Sequence, residues 1–251
     1  MVRSSNPVLN RLDETTWRRD RVLDVADEMT VEDVVVRTVG LLLLTGITAL
    51  LSWLFIPAAV WVPGALGGSA LAALVLALVI SLRGITNPLP MAGYAVIEGL
   101  LLGVASRAFE LVYPGIVALA VAGTFGVFLG MALLYRARLI RATPRLARLV
   151  IGTLLGIVAI SLVNLVVYLV TGRQGLVVYS LTGEVGALPY VIAVIAIIAG
   201  AFSFVLDFDL IERSVRAGRP RRYAWLCAFG LLTGLVFLYW QLLRLLSYLR
   251  R

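Results

Sequence analysis

The stretch AFSFVLDFDLIERSVRAGRPRR, residues 201–222, ends a long apolar run with two aspartates, Asp207 and Asp209. They stand where a hydrophobic helix would still lie in or near lipid, and a polar group there is costly. Positions two apart differ by about 200° around a helix, so the two carboxylates point apart. Asp209 precedes Arg213 by four residues, the spacing of a helical ion pair, which predicts the exit of the helix into water. Asp207 is the residue that we expect to face the interior of the structure.

The composition around this stretch indicates an integral membrane protein. Of 251 residues, 61% are hydrophobic and only 14% are charged. Soluble domains usually have about 45–50% apolar and about 25% charged residues. The net charge of +8 does not indicate nucleic-acid binding, because the arginines outside the N-terminal tail lie mostly in short loops beside apolar segments. The lipid bilayer is therefore the expected partner, and no nucleic acid is.

Seven apolar segments are long enough to cross a bilayer, which needs about 20 residues per helix. The sequence predicts an all-α, polytopic membrane bundle whose seven spans lie near 38–60, 64–82, 89–109, 115–135, 148–171, 187–208 and 223–247. Residues 38–251 form the transmembrane domain, and residues 1–37 form a polar tail without the pattern of a signal peptide. Within this tail, Thr30 and Asp33 have the spacing of a capping box at the start of a short helix that leads into the first span.

The distribution of arginines predicts the topology. The loop after the fourth span and the loop after the sixth span carry five arginines each, on the same side as the N-terminus: Arg136, Arg138, Arg141, Arg145 and Arg148, and Arg213, Arg216, Arg219, Arg221 and Arg222. The positive-inside rule then predicts that the N-terminus lies in the cytoplasm. The expected location of the protein is the plasma membrane. Seven spans put the C-terminus outside, yet the chain ends in two arginines, so a re-entrant last segment is an alternative.

Inside the spans, Glu98 is the clearest polar residue, near the middle of the third. An isolated charge there is strongly disfavoured, so Glu98 is a candidate for contacting a proton or an ion, or for fixing helix packing through a hydrogen bond. Asn164, Thr233 and Arg244 are secondary candidates, for which a structural role such as hydrogen bonding across helices is the favoured interpretation. Arg244 could also pair with an acidic residue or extend to the outer interface. Gly126 and Gly130 in the fourth span have the small-xxx-small spacing that favours close helix packing.

Enzymatic chemistry finds little support in the sequence. The chain has no histidine, no lysine and one cysteine, Cys227. These absences argue against a Ser–His hydrolase, a zinc site and a phosphate-binding loop that requires lysine. Asp207 and Asp209 point apart and do not form an aspartic-protease dyad. We therefore expect no enzyme activity, no catalytic residue, no metal site and no cofactor.

The ordered set of motifs resembles a known family. The segments FVLDFDLIE, YAWLCAFGLLTGLVFLYWQLLRLLSYL and GTFGVFLGMALLY, on a seven-span plan, look like the Bax inhibitor/YccA-like family; SSNPVL and MTVEDVVVRT look like its actinobacterial, and hence bacterial, branch. The resemblance implies a seven-helix bundle with the last helix at its centre. It also implies a pH-sensitive calcium leak whose sensor is an aspartate pair on the sixth and seventh helices. Asp207 matches the first member, whereas the second falls near Thr233, in a span without acidic residues; Glu98 could replace it if the third helix packs against the sixth.

Two functions remain open at this point, and a third, a proton-coupled transporter, ranks last because no span shows a clear central break. The leading hypothesis is a leak or channel for calcium or another cation, with Asp207 and Glu98 as its carboxylates. The alternative is a membrane adaptor that modulates a membrane protease or another membrane complex. The adaptor would depend on the cytoplasmic tail and the arginine-rich loops rather than on the carboxylates inside the spans.

Overall fold

The computed structural model describes residues 28–56, 63–171 and 186–250. This part of the chain consists of helices joined by short connections. Their bounds are α1 Val31–Phe55, α2 Pro63–Arg83, α3 Pro88–Val112, α4 Ile116–Arg136, α5 Pro144–Thr171, α6 Ala187–Arg216 and α7 Tyr223–Leu249. The seven predicted spans correspond to these seven helices, which confirms the all-α membrane bundle. Among the described residues, α1, α4, α5, α6 and α7 are long and apolar enough to cross a membrane.

The first helix begins earlier than its predicted span. Thr30 and Asp33 form the predicted capping box, in which the Asp33 N–H donates to Thr30 Oγ1 and the Thr30 N–H donates to the Asp33 carboxylate. Because this cap starts the helix at Val31, the predicted pre-membrane helix and the first span are one continuous helix of 25 residues. The predicted tail at residues 1–27 lies outside the described residues.

Helix α7 occupies the centre of the bundle. It packs against α1, α3, α4 and α6. Of the five long apolar helices, α7 is the most buried: 56% of its most apolar window is inside the protein, against 11–33% for the others. The central position of the last helix, which the family resemblance implies, is therefore confirmed.

The last helix also decides between the two predicted positions of the C-terminus. Helix α7 runs without a break for 27 residues, about 40 Å at about 1.5 Å per residue. At its end, the Arg250 guanidinium donates a hydrogen bond of 2.7 Å to the carbonyl of Pro114, in the α3–α4 connection. The C-terminal end therefore lies beside the α3–α4 connection, and the re-entrant alternative is wrong.

The opposite end of the bundle carries the two arginine-rich loops, and we call it the arginine end. It comprises the start of α1, the α4–α5 connection (residues 137–143) and the α6–α7 loop (residues 217–222). The Tyr135 hydroxyl donates to Glu212 Oε2 at 2.6 Å and joins the last turns of α4 and α6 there. Glu212 also forms an ion pair with Arg216, one turn further along α6.

The closest helix approach lies between α1 and α3 rather than along α4. A Cβ on Gly99 of α3 would overlap the Thr45 carbonyl and the Thr48 hydroxyl of α1, and a Cβ on Gly103 would overlap the Ala49 carbonyl. By contrast, no atom lies within 4 Å of the position that a Cβ would take at Gly126 or Gly130. The prediction that these two α4 glycines mediate close packing is therefore wrong; Gly99 and Gly103 have the same spacing and do so.

Candidate functional site

A small cavity lies between α6 and α7 near the arginine end. Its volume is about 60 Å³, and a buried water needs at least about 10–15 Å³, so there is room for a few water molecules. The cavity is lined by apolar side chains and by five groups able to interact with a polar guest. The lining residues are Asp207, Leu210, Ile211, Ser214, Arg219, Tyr223, Leu226, Cys227 and Gly230.

Aromatic packing on α6 directs Asp207 into this cavity. Phe204 and Phe208, one turn apart, pack against Phe128 of α4 with ring centroids 5.1 and 5.7 Å away. Phe208 also contacts Tyr135, about two turns further along α4. Because neighbouring residues are about 100° apart on a helix, the Phe204–Phe208 face holds α6 against α4 while Asp207 faces α7.

The Asp207 carboxylate has no hydrogen-bond donor and no arginine within ion-pair distance among the described residues. Its side chain is half-buried and lines the cavity. A carboxylate removed from bulk water normally acquires donors or a counter-charge, since an unpaired buried charge is very costly. Asp207 therefore has the capacity to bind a water molecule, a proton or a cation that enters the cavity.

On α7, the residue that faces Asp207 is Gly230. A Cβ at this position would lie 3.9 Å from Asp207 Oδ1. Thr233, the position at which the second acidic residue was sought, donates its hydroxyl to the Gly230 carbonyl at 2.8 Å. The α7 side of the site therefore has no second carboxylate. Because Gly230 has no side chain, it leaves space that forms part of the cavity.

Asp209 is separate from this site. Its Oδ2 lies 2.7 Å from Arg213 Nη2, which confirms the predicted i,i+4 ion pair. The Arg213 side chain is 70% exposed. Exposed pairs of this kind contribute only about 0.3–0.5 kcal/mol, so the pair has little energetic weight and indicates the exposed end of α6.

Glu98 is also separate from Asp207. It is only 7% exposed, and the indole of Trp240 on α7 lies beside its carboxyl group. In the described part of the chain α3 packs against α1, α2, α4 and α7, and α6 is not among its main neighbours. Trp240 is ten residues from Gly230, about 15 Å along α7. The expectation that Glu98 replaces the missing partner of Asp207 is therefore wrong.

The secondary candidates lie elsewhere in the bundle. Asn164 on α5 is 2% exposed, and Arg244 is half-buried on α7. A further buried polar contact, not anticipated from the sequence, joins the hydroxyls of Ser106 and Tyr239 at 2.6 Å. Among the described residues, no three His, Cys, Asp or Glu side chains cluster as a metal-ligand set.

Sequence reasoning also missed most of the cavity lining. Ser214, Arg219 and Tyr223 come from the last turns of α6, the following loop and the first residue of α7. Cys227 and Gly230 are three residues apart on α7, a spacing that places both on one helix face and could have indicated a shared surface. What the sequence does not give is the register of α7 against α6.

Comparison with known proteins identifies one family. The family model described as Bax inhibitor 1 like matches residues 6–251, nearly the whole chain. Among curated proteins, the search finds no match.

Proposed function

The chain belongs to the Bax inhibitor 1-like family, and from that premise we propose that it is a multi-pass membrane leak or channel for cations, calcium among them, rather than an enzyme. The observation that carries the proposal is the Asp207 carboxylate, which faces a cavity with room for a few water molecules and has no hydrogen-bond or ion-pair partner among the described residues. Asp207 is the group that contacts the cation, and the bundle around α7 supplies the path.

The chemistry of the site suits transient contact with a hard cation. Calcium prefers six to eight oxygen ligands, and tight sites supply several carboxylates. The cavity offers one carboxylate together with the hydroxyls of Ser214 and Tyr223 and space for water. Conduction requires binding that is favourable enough for entry and weak enough for release. One carboxylate with water meets both requirements, whereas a full ligand set would retain the ion.

In the proposed mechanism, the cation leaves the cavity along the α6–α7 interface. Beyond Gly230, Gly234 of α7 faces the ring of Phe204, and Gly200 of α6 faces the ring of Phe237. A glycine that packs against a flat aromatic ring has no side chain to interlock with it. A small displacement of α7 relative to α6 therefore separates these surfaces. In the proposed mechanism, a cation passes from Asp207 along this interface towards the end that carries Arg250.

The proposed orientation follows from the arginines. Ten arginines lie in or beside the two loops of the arginine end, and such residues are enriched on the cytoplasmic side. We therefore place the arginine end in the cytoplasm and the protein in the plasma membrane. In this orientation the Asp207 cavity is nearer to the cytoplasmic side.

Calcium flux into vesicles tests the proposal. Purified protein is reconstituted in vesicles that contain a calcium-sensitive dye, and Asp207→Asn is compared with Asp209→Asn. Asp209→Asn is a matched control, because it also removes one carboxylate charge. This carboxylate lies two residues further along α6 and is paired with Arg213 outside the cavity. We expect Asp207→Asn to lower flux about tenfold, the factor that about 1.4 kcal/mol of lost cation attraction produces. Asp209→Asn should conduct like the wild type.

Two results would refute the channel function: no flux from folded wild-type protein, or equal flux from folded wild type and Asp207→Asn. A membrane protease or another complex that co-purifies with the protein, and is lost on deletion of residues 1–30, would then favour the adaptor function.

A further inference from the structure

The residues just before α1 pair with the α6–α7 loop. The Met29 N–H donates to the Arg219 carbonyl at 2.8 Å, and Glu28 forms an isolated antiparallel bridge with Pro220. The Met29 side chain is 1% exposed and belongs to the buried cluster that contains Ile211. Backbone hydrogen bonding and apolar burial therefore both hold this segment against the loop.

Charged groups add a second attachment a few residues further on. The Arg221 Nε donates to Asp33 Oδ1 at 2.7 Å, and the Asp33 side chain is only 10% exposed. The Arg37 guanidinium donates to the Arg221 carbonyl and lies over the ring of Trp225, 5.3 Å from its centroid. Charge-assisted hydrogen bonds of a partly buried carboxylate are stronger than those between neutral groups, so this attachment resists separation.

The loop held in this way forms part of the wall of the Asp207 cavity. Arg219, which pairs with Met29 through its carbonyl, lines the cavity, and so does Tyr223 at the start of α7. Gly218 makes the turn with a φ of +60°, and a Cβ there would lie 3.0 Å from Glu28 Oε1. The N-terminal segment thus contacts the same short loop whose other side forms the wall of the cavity.

We propose that residues 28–37 form a latch that holds the α6–α7 loop over the Asp207 cavity, and that release of this latch opens the cavity to water at the arginine end. The regulatory meaning of the latch rests on the proposed function, since it controls a leak only if the cavity conducts. The effect of the latch on access to the cavity does not depend on the proposed function, and it can be measured without any ion flux.

Cys227 provides the measurement. It is the only cysteine in the chain and lines the cavity, half-buried, so its thiol reports access to that space. The protein is placed in lipid nanodiscs, and the labelling rate is followed with a neutral maleimide carrying a short polyethylene glycol chain. Asp33→Asn and Arg221→Gln each remove one end of the charged attachment. Glu32→Gln is the matched control, because it removes an exposed charge from the same turn; Cys227→Ser gives the background.

We expect Asp33→Asn and Arg221→Gln to increase the labelling rate of Cys227 about tenfold, the factor by which loss of one charge-assisted hydrogen bond shifts a local opening equilibrium. Glu32→Gln should label like the wild type. Because Arg221 is 57% exposed, its variant is expected to fold even if Asp33→Asn disturbs the start of α1. Unchanged labelling in folded Arg221→Gln overturns the latch, as does an equal increase in Glu32→Gln. Faster labelling in a protein that conducts no cation supports the latch and refutes the channel.

Discussion

Asp207 of α6 faces Gly230 of α7, where a Cβ would lie 3.9 Å from Asp207 Oδ1. The family resemblance leads one to expect a second acidic residue on the seventh helix. The glycine instead leaves space, and the carboxylate meets a cavity. This relationship makes position 230, rather than Thr233, the place where a carboxylate pair could be built.

Gly230→Asp should create such a pair and make stability depend on pH. At low pH the two carboxyls share a proton and join α6 to α7, whereas at high pH two neighbouring negative charges repel each other. We expect the variant, relative to the wild type, to gain about 3 °C in melting temperature between about pH 8 and about pH 5, which corresponds to roughly 1 kcal/mol in a domain of this size. Melting followed by intrinsic fluorescence in detergent micelles measures this difference.

Gly230→Asn is the control for this prediction, because it adds a side chain of the same size without a titrating group. Its melting temperature should respond to pH as that of the wild type does. If the aspartate and asparagine variants respond equally, the two carboxyls do not meet, and the register of α7 against α6 differs from the one described.

Trp240→Phe should destabilise the bundle by about 1–3 kcal/mol, because it removes the polar indole N–H beside the buried Glu98 carboxyl. Glu98→Gln keeps an acceptor oxygen and should cost less than about 1 kcal/mol. The double variant should lose less stability than the sum of the two single losses, as expected for residues in contact. Unfolding in mixed micelles with increasing denaturing detergent measures all three.

The same Glu98→Gln variant should leave calcium flux close to that of the wild type. Glu98 contacts α7 about 15 Å along its axis from Gly230, so it is not part of the Asp207 cavity. A large loss of flux in folded Glu98→Gln would place the ion path along α3 instead of α6.

The helices were predictable because each is an apolar run bounded by Pro, Gly or Arg. The Asp209–Arg213 ion pair was predictable for a similar reason: it depends only on the geometry of one helix. Helix α1 begins before its predicted span because the Thr30 cap and the apolar run form a single helix. Local rules therefore account for most of the fold and for the end of α6.

Contacts between helices were not predictable to the same extent. Whether Asp207 faces Gly230 or Thr233 depends on how far α7 is shifted along α6, which side-chain packing across the whole interface decides. Glu98 illustrates the same limit, because its partner is a tryptophan on a helix more than 100 residues away in sequence. The sequence indicated that both carboxylates are costly to bury, but not that Asp207 would face a cavity or that Glu98 would lie beside Trp240.

The sequence did not show which pair of glycines with small-xxx-small spacing lies at a close helix contact, and this ambiguity gives the last prediction. Gly99→Ala should destabilise the protein by about 1–3 kcal/mol, since the new methyl group would force α3 away from the backbone of α1 at Thr45. Gly93→Ala and Gly126→Ala meet no atom within 4 Å, so they should be neutral or, through higher helix propensity, up to about 1 kcal/mol stabilising. Melting of the three variants in one detergent provides the comparison. If Gly126→Ala proves the most harmful, α4 has a close neighbour that the described contacts lack, and the predicted role of its glycines would be restored.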